Sequence, residues 1–103
     1  MKSYTSHIMI QQGQYGRAVI LDCTSESSFS LQYGVPLNLG DHIDQYQWVT
    51  LKREGETMDL NENNNVMVFG KALPGAYRFI NNGTDDEQAV VVCDVFKDVV
   101  RGE

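Results

Sequence analysis

Alternating apolar and polar residues run along most of the chain in short stretches. One clear case is the stretch 28–33, where Phe29, Leu31 and Tyr33 alternate with serine and glutamine. An alternation of period two places the apolar side chains on one face of a strand. No window sustains the period of 3.6 that an amphipathic helix requires, and glycine and aspartate weaken the best helix candidate, 39–46. The pattern therefore predicts an all-β protein.

We predict about seven strands, because turn residues interrupt the alternation roughly every 8–12 residues, which is the spacing of a sandwich or barrel. The predicted strands cover 8–10, 17–23, 28–33, 45–51, 66–69, 77–80 and 87–96. Two turns predict hairpins. Segment 53–56 has Gly55 available for a positive φ, and segment 81–84 contains the Asn-Gly pair that suits a type I′ turn. The whole chain, 1–103, is interpreted as one small β-sandwich domain with a short tail from about residue 97.

Composition and charge exclude several classes of partner. The chain has 103 residues, 42% of them hydrophobic, which is enough for one core without metal or disulfide. Its formal net charge is −6, and its eight basic residues are scattered, so we expect neither nucleic acid nor an anionic membrane as a partner. No apolar run approaches the roughly 20 residues of a membrane span, and we see no signal peptide near the N-terminus.

The most recognisable segment is 73–79, with the sequence Leu-Pro-Gly-Ala-Tyr-Arg-Phe. It resembles immunoglobulin-like sandwich domains, in which such a step leads into a strand that opens with a tyrosine. In that family the tyrosine hydroxyl bonds a backbone group and forms a tyrosine corner. The resemblance assigns this role to Tyr77 and a core position to Trp48, and places Cys23 where the first core cysteine stands.

The resemblance covers about three short segments and departs from the family at one position. Antibody domains carry a second cysteine two residues after the tyrosine, where this chain has Phe79, and Cys93 comes one strand later. A jelly roll or a Greek-key barrel would give a similar series of strands. We expect Trp48, Tyr77 and Phe79 to be core residues, since large aromatics on alternating strands usually are. An exposed aromatic binding stripe is the alternative.

The two cysteines, Cys23 and Cys93, are too far apart in sequence for a zinc motif. Without an export signal we expect them to be buried free thiols in a reducing compartment. A disulfide between them stays open as an alternative, should the first and last core strands approach each other.

Candidate catalytic residues are few. His42 stands between Asp41 and Asp44, which is a composition suited to a base and its orienting group. Neighbours in sequence rarely face one another on an extended chain, and no nucleophile motif accompanies them. We therefore interpret this segment as an exposed loop and the protein as a non-enzyme without a cofactor.

A candidate metal loop has oxygen-bearing side chains at alternate positions, beginning with Asp59 and Asn61. An EF-hand would need glycine at its sixth position and glutamate at its twelfth, which are Asn64 and Gly70 here. We interpret the segment as a polar turn with no metal. The glycosylation pattern Asn82-Gly83-Thr84 is likewise interpreted as a turn, because we expect no export.

The function we predict is structural. In size and acidity the chain resembles the small decoration or tail-associated proteins of tailed bacteriophages, which implies a virion subunit on the capsid, the tail or the neck. We expect it to dock onto other protein subunits through a strand edge or a terminal arm, and to form a homo-oligomer. The alternative is a non-catalytic binding module, such as an inhibitor or adhesin-like domain, with Tyr15, Tyr33 and Tyr46 as anchors.

Overall fold

The computed structural model describes residues 3–37, 45–83 and 89–97, and within these ranges it contains strands and no helix. The ten strands are β1 (Ile8–Ile10), β2 (Gln14–Leu21), β3 (Phe29–Pro36), β4 (Tyr46–Thr50), β5 (Lys52–Arg53), β6 (Glu56–Thr57), β7 (Asp59–Leu60), β8 (Val66–Phe69), β9 (Gly75–Asn81) and β10 (Val90–Lys97). The all-β prediction is confirmed. The seven predicted strands are present, and β5, β6 and β7 add three strands of two residues each.

Two antiparallel sheets form the sandwich. The five-stranded sheet has the order β1-β9-β3-β4, with β7 also pairing with β3, and the three-stranded sheet has the order β10-β2-β8. In the antibody constant-domain arrangement the last two strands share a sheet. Here β9 and β10 lie in opposite sheets.

The core lies between these sheets and takes one side chain of every two along each main strand. Leu31 and Phe79 lie side by side in the five-stranded sheet and are completely buried. Ala18, Ile20 and Phe69 meet them from the three-stranded sheet. Each large apolar side chain buried in this way contributes roughly 1.5–3 kcal/mol to folding. This alternation is the one that the sequence pattern predicted.

Two tyrosine hydroxyls fix the connection between β8 and β9. Tyr77 is 2% exposed, and its hydroxyl donates to the carbonyl of Leu73, four residues upstream. The hydroxyl of Tyr33 donates to the carbonyl of Pro74 at 2.8 Å. Gly75 follows with φ 145°, and a Cβ there would lie 2.5 Å from the Tyr33 hydroxyl, so only glycine fits. The predicted tyrosine-to-backbone hydrogen bond is therefore present.

Trp48 is not a core residue, and that prediction is wrong. It is half-buried on the outer face of the five-stranded sheet, opposite Gly34 and beside Arg78. The alternation along β4 was correct, but both of its faces carry large apolar residues. Pairing with β3 turns Val49, rather than Trp48, toward the side on which Tyr33 lies.

The predicted hairpin at 81–84 is also wrong, because β9 and β10 belong to different sheets and do not pair. Within the described part of this segment, the Asn81 side chain accepts a hydrogen bond from the Gly83 amide at 2.9 Å, and Asn82 bonds to Ser28 and Ser30.

The hairpin at 53–56 is confirmed. Lys52 pairs with Thr57, and φ is positive at Glu54 and Gly55.

Both cysteines are free thiols and half-buried against the core. Cys23 follows β2, and Cys93 lies opposite Ala18 in the middle of β10. Burial, with a smaller effect of the Asp94 charge, raises the pKa of the Cys93 thiol to about 11. Such a thiol is largely protonated near neutral pH and behaves as a small apolar side chain.

Candidate functional site

The structure brings few of the predicted site residues together. Asp41, His42 and Asp44 lie outside the described residues. The three tyrosines suggested as anchors lie in different places: Tyr15 stacks on Phe96 of the three-stranded sheet, Tyr33 packs against the core, and Tyr46 lies on the outer face of the five-stranded sheet. They do not form one binding surface.

The candidate calcium loop uses its oxygens within the protein. The Asn61 side chain accepts hydrogen bonds from the amides of Asn63 and Asn64, both at 2.9 Å. The Asp59 carboxylate accepts from the hydroxyls of Ser30 and Thr57. Side-chain oxygens bonded in this way hold a turn together, as the sequence analysis expected.

The outer face of the three-stranded sheet is the least expected surface of the molecule. Alternate residues of its strands point away from the core, and most of them are aliphatic. We call this surface the valine face and define it by Val19, Leu21, Val66, Val68, Val90 and Val92. All except the half-buried Val19 are 48–50% exposed.

Strand register makes the valine face continuous. Val90 lies opposite Leu21, and Val92, Val19 and Val66 form a row across all three strands. Neighbouring strands are about 4.8 Å apart, and residues two apart on one strand are separated by about 6.8 Å. Neighbouring aliphatic side chains on this face are therefore close enough to form one patch.

One ion pair borders this patch. The guanidinium of Arg17 donates to the Asp94 carboxylate through Nε at 3.1 Å and Nη2 at 2.5 Å. These hydrogen bonds hold the pKa of Asp94 below its usual range. Arg17 also lies over the Phe96 ring, with 4.9 Å from its Cζ to the ring centroid. The charges on this border neutralise each other.

The edge of the same sheet is a free strand. Within the described parts of the chain β10 pairs on one side only, with all eight of its residues opposite β2. Among the described residues, β1 of the other sheet approaches β10, but no backbone hydrogen bond joins the two strands. Natural edge strands are commonly protected by proline, bulges or charge. β10 has no proline, and its two charged residues are Asp94, paired with Arg17, and Lys97 at its end.

The outer face of the five-stranded sheet carries a second surface, the aromatic face, defined by Tyr4, His7, Tyr46, Trp48 and Arg78. The rings of His7, Tyr46 and Trp48 have centroids 5.4–5.9 Å apart. The Arg78 guanidinium lies between two rings, 3.8 Å from the Tyr4 centroid and 4.3 Å from that of Trp48. These distances are those of cation–π contacts.

A buried glutamine holds Arg78 in position on this aromatic face. Gln32 accepts a hydrogen bond from Arg78 Nε at 2.8 Å and donates to the Thr50 hydroxyl at 3.1 Å. Partial burial lowers the pKa of Arg78 from its ordinary value. The rings and the glutamine together cover the polar outer side of β3.

Two clefts open beside the β5–β6 hairpin. One, of about 310 Å³, has the core residues Leu31, Phe69 and Tyr77 as its floor, with Arg53 and Lys71 at its rim. The other, of about 590 Å³, lies between the hairpin and β8 and has mostly polar walls. No histidine or cysteine lines either cleft.

The sequence did contain a signal for the valine face. Val66-Met67-Val68-Phe69 and Val90-Val91-Val92 are apolar at successive positions, so both faces of these strands are apolar. Such runs are typical of strands that are covered on both sides. Among the residues that the structure describes, only one side of these strands is covered by the other sheet.

Comparison with protein-family models, with curated proteins and with solved structures finds no match for this chain. Among the described residues, no helix is long and apolar enough to cross a membrane.

Proposed function

We propose that this chain is a non-catalytic docking subunit of a larger protein assembly, and that it docks through the valine face. The observation that supports this most directly is the half exposure of five neighbouring aliphatic side chains on a regular sheet. Contiguous apolar patches larger than a few hundred Å² are uncommon on monomers and often mark interaction sites. At about 25 cal/mol per Å², covering such a patch contributes several kcal/mol to association.

The tailed-bacteriophage virion is the assembly that the sequence resemblance favours, with the chain on the capsid, the tail or the neck. The net charge of −6 supports a protein partner over nucleic acid. The regular face of a sheet suits a lattice that repeats the same contact many times.

Sedimentation of the native particle tests the proposal. In cells that make the protein, we expect the wild-type chain to sediment with a large assembly. The double variant Val66→Lys/Val68→Lys should move to the free fraction, because it places two charges in the patch. The matched control Val35→Lys/Val49→Lys changes two exposed valines of the five-stranded sheet and should stay with the assembly. Wild-type chain found only in the free fraction would contradict the proposal, as would retention of the Val66→Lys/Val68→Lys variant.

A binding module that uses the aromatic face is the second candidate. Its support is the cluster of partly exposed rings around Trp48, the only tryptophan of the chain. In the same sedimentation assay, loss of binding in His7→Ser/Tyr46→Ser with no loss in Val66→Lys/Val68→Lys would favour this function over docking through the valine face.

A further inference from the structure

We propose that β10 pairs with β10 of a second copy of this chain around a two-fold axis. The two three-stranded sheets then become one six-stranded sheet. This inference rests on the proposed docking role and names one occupant of the free edge. It follows from the free edge of β10, from its register and from the position of its charges.

The free edge is a template for another strand. β10 is eight residues long, and seven of those residues carry neither proline nor a free charge, since Asp94 is tied to Arg17. An exposed, long and apolar edge without protective features recruits a further strand. A second copy always supplies a strand of the same length.

Side-chain direction limits the registers of this pairing. Residues that face each other in an antiparallel pair point to the same side of the sheet, as Val90 and Leu21 do. When β10 pairs with β10 of the second copy, the two-fold axis must therefore pass through one residue of the strand. That residue then lies opposite the same residue of the partner. Two registers give the longest overlap, and they place the axis at Cys93 or at Asp94.

Charge decides between these two registers. An axis at Asp94 places that carboxylate opposite the partner's Asp94, and like charges directly opposite are destabilising. An axis at Cys93 places Val90 opposite the partner's Phe96, which is a favourable aromatic and β-branched pair. It also places Val92 opposite the partner's Asp94, while each aspartate keeps its own Arg17. We therefore assign the axis to Cys93.

Pairing through β10 would enlarge the surface that the proposed function uses for docking. Val90 and Val92 of both copies then lie on the same outer side, so the two valine faces become one surface. Pairing of a single strand buries less than the roughly 1,200 Å² of a stable interface. We therefore expect a weak dimer that becomes stable when the joined valine faces are covered.

A matched pair of variants tests the register. Val92→Asp places a carboxylate opposite the partner's Asp94, whereas Val92→Lys places an ammonium there. Each substitution occurs twice in the symmetric dimer, so we expect the dissociation constant of Val92→Asp to exceed that of Val92→Lys by about tenfold. Analytical ultracentrifugation over a concentration series measures both. Equal constants would exclude the Cys93 register, in which alone residue 92 faces Asp94.

Disulfide trapping gives an independent readout. Directly opposed residues have Cα atoms about 4.5–5.5 Å apart, within the range of a disulfide. Diamide accepts two electrons and two protons from a pair of thiols, so treatment with it at a pH of about 9, where part of the raised-pKa Cys93 thiol ionises, should join the two Cys93 sulfurs. We expect a reducible dimer from the wild-type chain and from Cys23→Ser, and none from Cys93→Ser. A dimer that depends on Cys23 would overturn the proposal.

The two proposals fail in different ways. A wild-type chain that stays monomeric at all concentrations, and still enters the large assembly, contradicts the β10 pairing alone. A chain that forms the Cys93-linked dimer but never enters an assembly contradicts the docking role alone.

Discussion

At the scale of single residues, the hydroxyls of Tyr77 and Tyr33 hold consecutive carbonyls, those of Leu73 and Pro74. The two rings also meet edge to face, with centroids 5.2 Å apart. Together they tie the β8–β9 connection to β3 and β9, which are neighbours in the five-stranded sheet. The connection is therefore held by side chains of the sheet in addition to its own backbone hydrogen bond from the Leu73 amide to the Gly70 carbonyl.

Removing one hydroxyl tests this arrangement. Tyr77→Phe keeps the ring and leaves the Leu73 carbonyl without this donor, so we expect a loss of about 1–2 kcal/mol in the free energy of unfolding. Tyr33→Phe is the matched control, and we expect a smaller loss because its bond lies at the exposed end of the ring. Urea unfolding measures both. An equal or larger loss in Tyr33→Phe would show that burial does not set the strength of these bonds.

High pH should weaken the fold through the same tyrosine. Burial, with a smaller effect of Tyr33, raises the pKa of Tyr77 to about 12, against about 10 in the unfolded chain. The folded state therefore binds this proton more tightly, and its contribution is complete below pH 10 and is lost as the pH rises to about 12. Cys93 acts in the same direction as the pH rises to about 11.

Urea unfolding across this alkaline range measures the effect. The free energy of unfolding should fall more steeply for the wild-type chain than for Tyr77→Phe, which has no phenol at this position. Identical slopes above pH 10 would mean that Tyr77 titrates alike in the folded and unfolded states.

At the scale of elements, β2 is the central strand of the three-stranded sheet and packs directly under β1. Gly16 makes this close approach feasible, since a Cβ there would lie 2.5 Å from Phe69 and 2.6 Å from Ile10. The same strand presents Arg17 and Val19 to the outside. One strand thus supplies both a close contact within the core and the centre of the valine face.

Gly16→Ala should therefore destabilise the sandwich. The added methyl group must displace both Phe69 and Ile10, and overpacking of this kind costs about 1–3 kcal/mol. Arg17→Ala on the same strand removes an exposed ion pair and the cation–π contact with Phe96, and we expect a change of less than about 1 kcal/mol. Thermal unfolding compares the two variants. A neutral Gly16→Ala would indicate that Phe69 and Ile10 move aside freely.

At the scale of the whole molecule, the two outer surfaces differ in chemistry. One side carries the aliphatic valine face and its neutralised ion pair, and the other carries the aromatic face with Arg78. None of the residues that define these two faces is acidic, so the net charge of −6 comes from other residues of the chain. Two copies that pair along β10 each carry this net charge, so long-range repulsion opposes their association.

This charge distribution predicts how salt affects the dimer. Repulsion between two acidic copies is screened when the Debye length falls from about 30 Å at 0.01 M salt to about 8 Å at 0.15 M. We expect the dissociation constant of the β10 dimer to fall a few-fold over this range. A constant that rises with salt would indicate an attractive ion pair across the interface, such as Arg17 with the partner's Asp94.

Much of the local structure could be predicted from the sequence, and the candidate sites could not. The alternation located seven strands, Gly55 marked a real hairpin, and Pro74-Gly75 before Tyr77 marked the tyrosine-to-backbone bond. These features depend on residues that are close together in the chain. The misplaced Trp48, the absent hairpin at 81–84 and the unexpected valine face all depend on which strand pairs with which.

The sequence by itself determined that the chain forms strands and where they lie, because side-chain alternation and turn chemistry act over a few residues. Only the tertiary structure decided that β9 and β10 enter different sheets and that Val90 and Val92 point outward. Alternation shows that a strand has two faces, but when both faces are apolar it does not show which one meets the core. That choice is made by the pairing of β10 with β2, residues far apart in the chain.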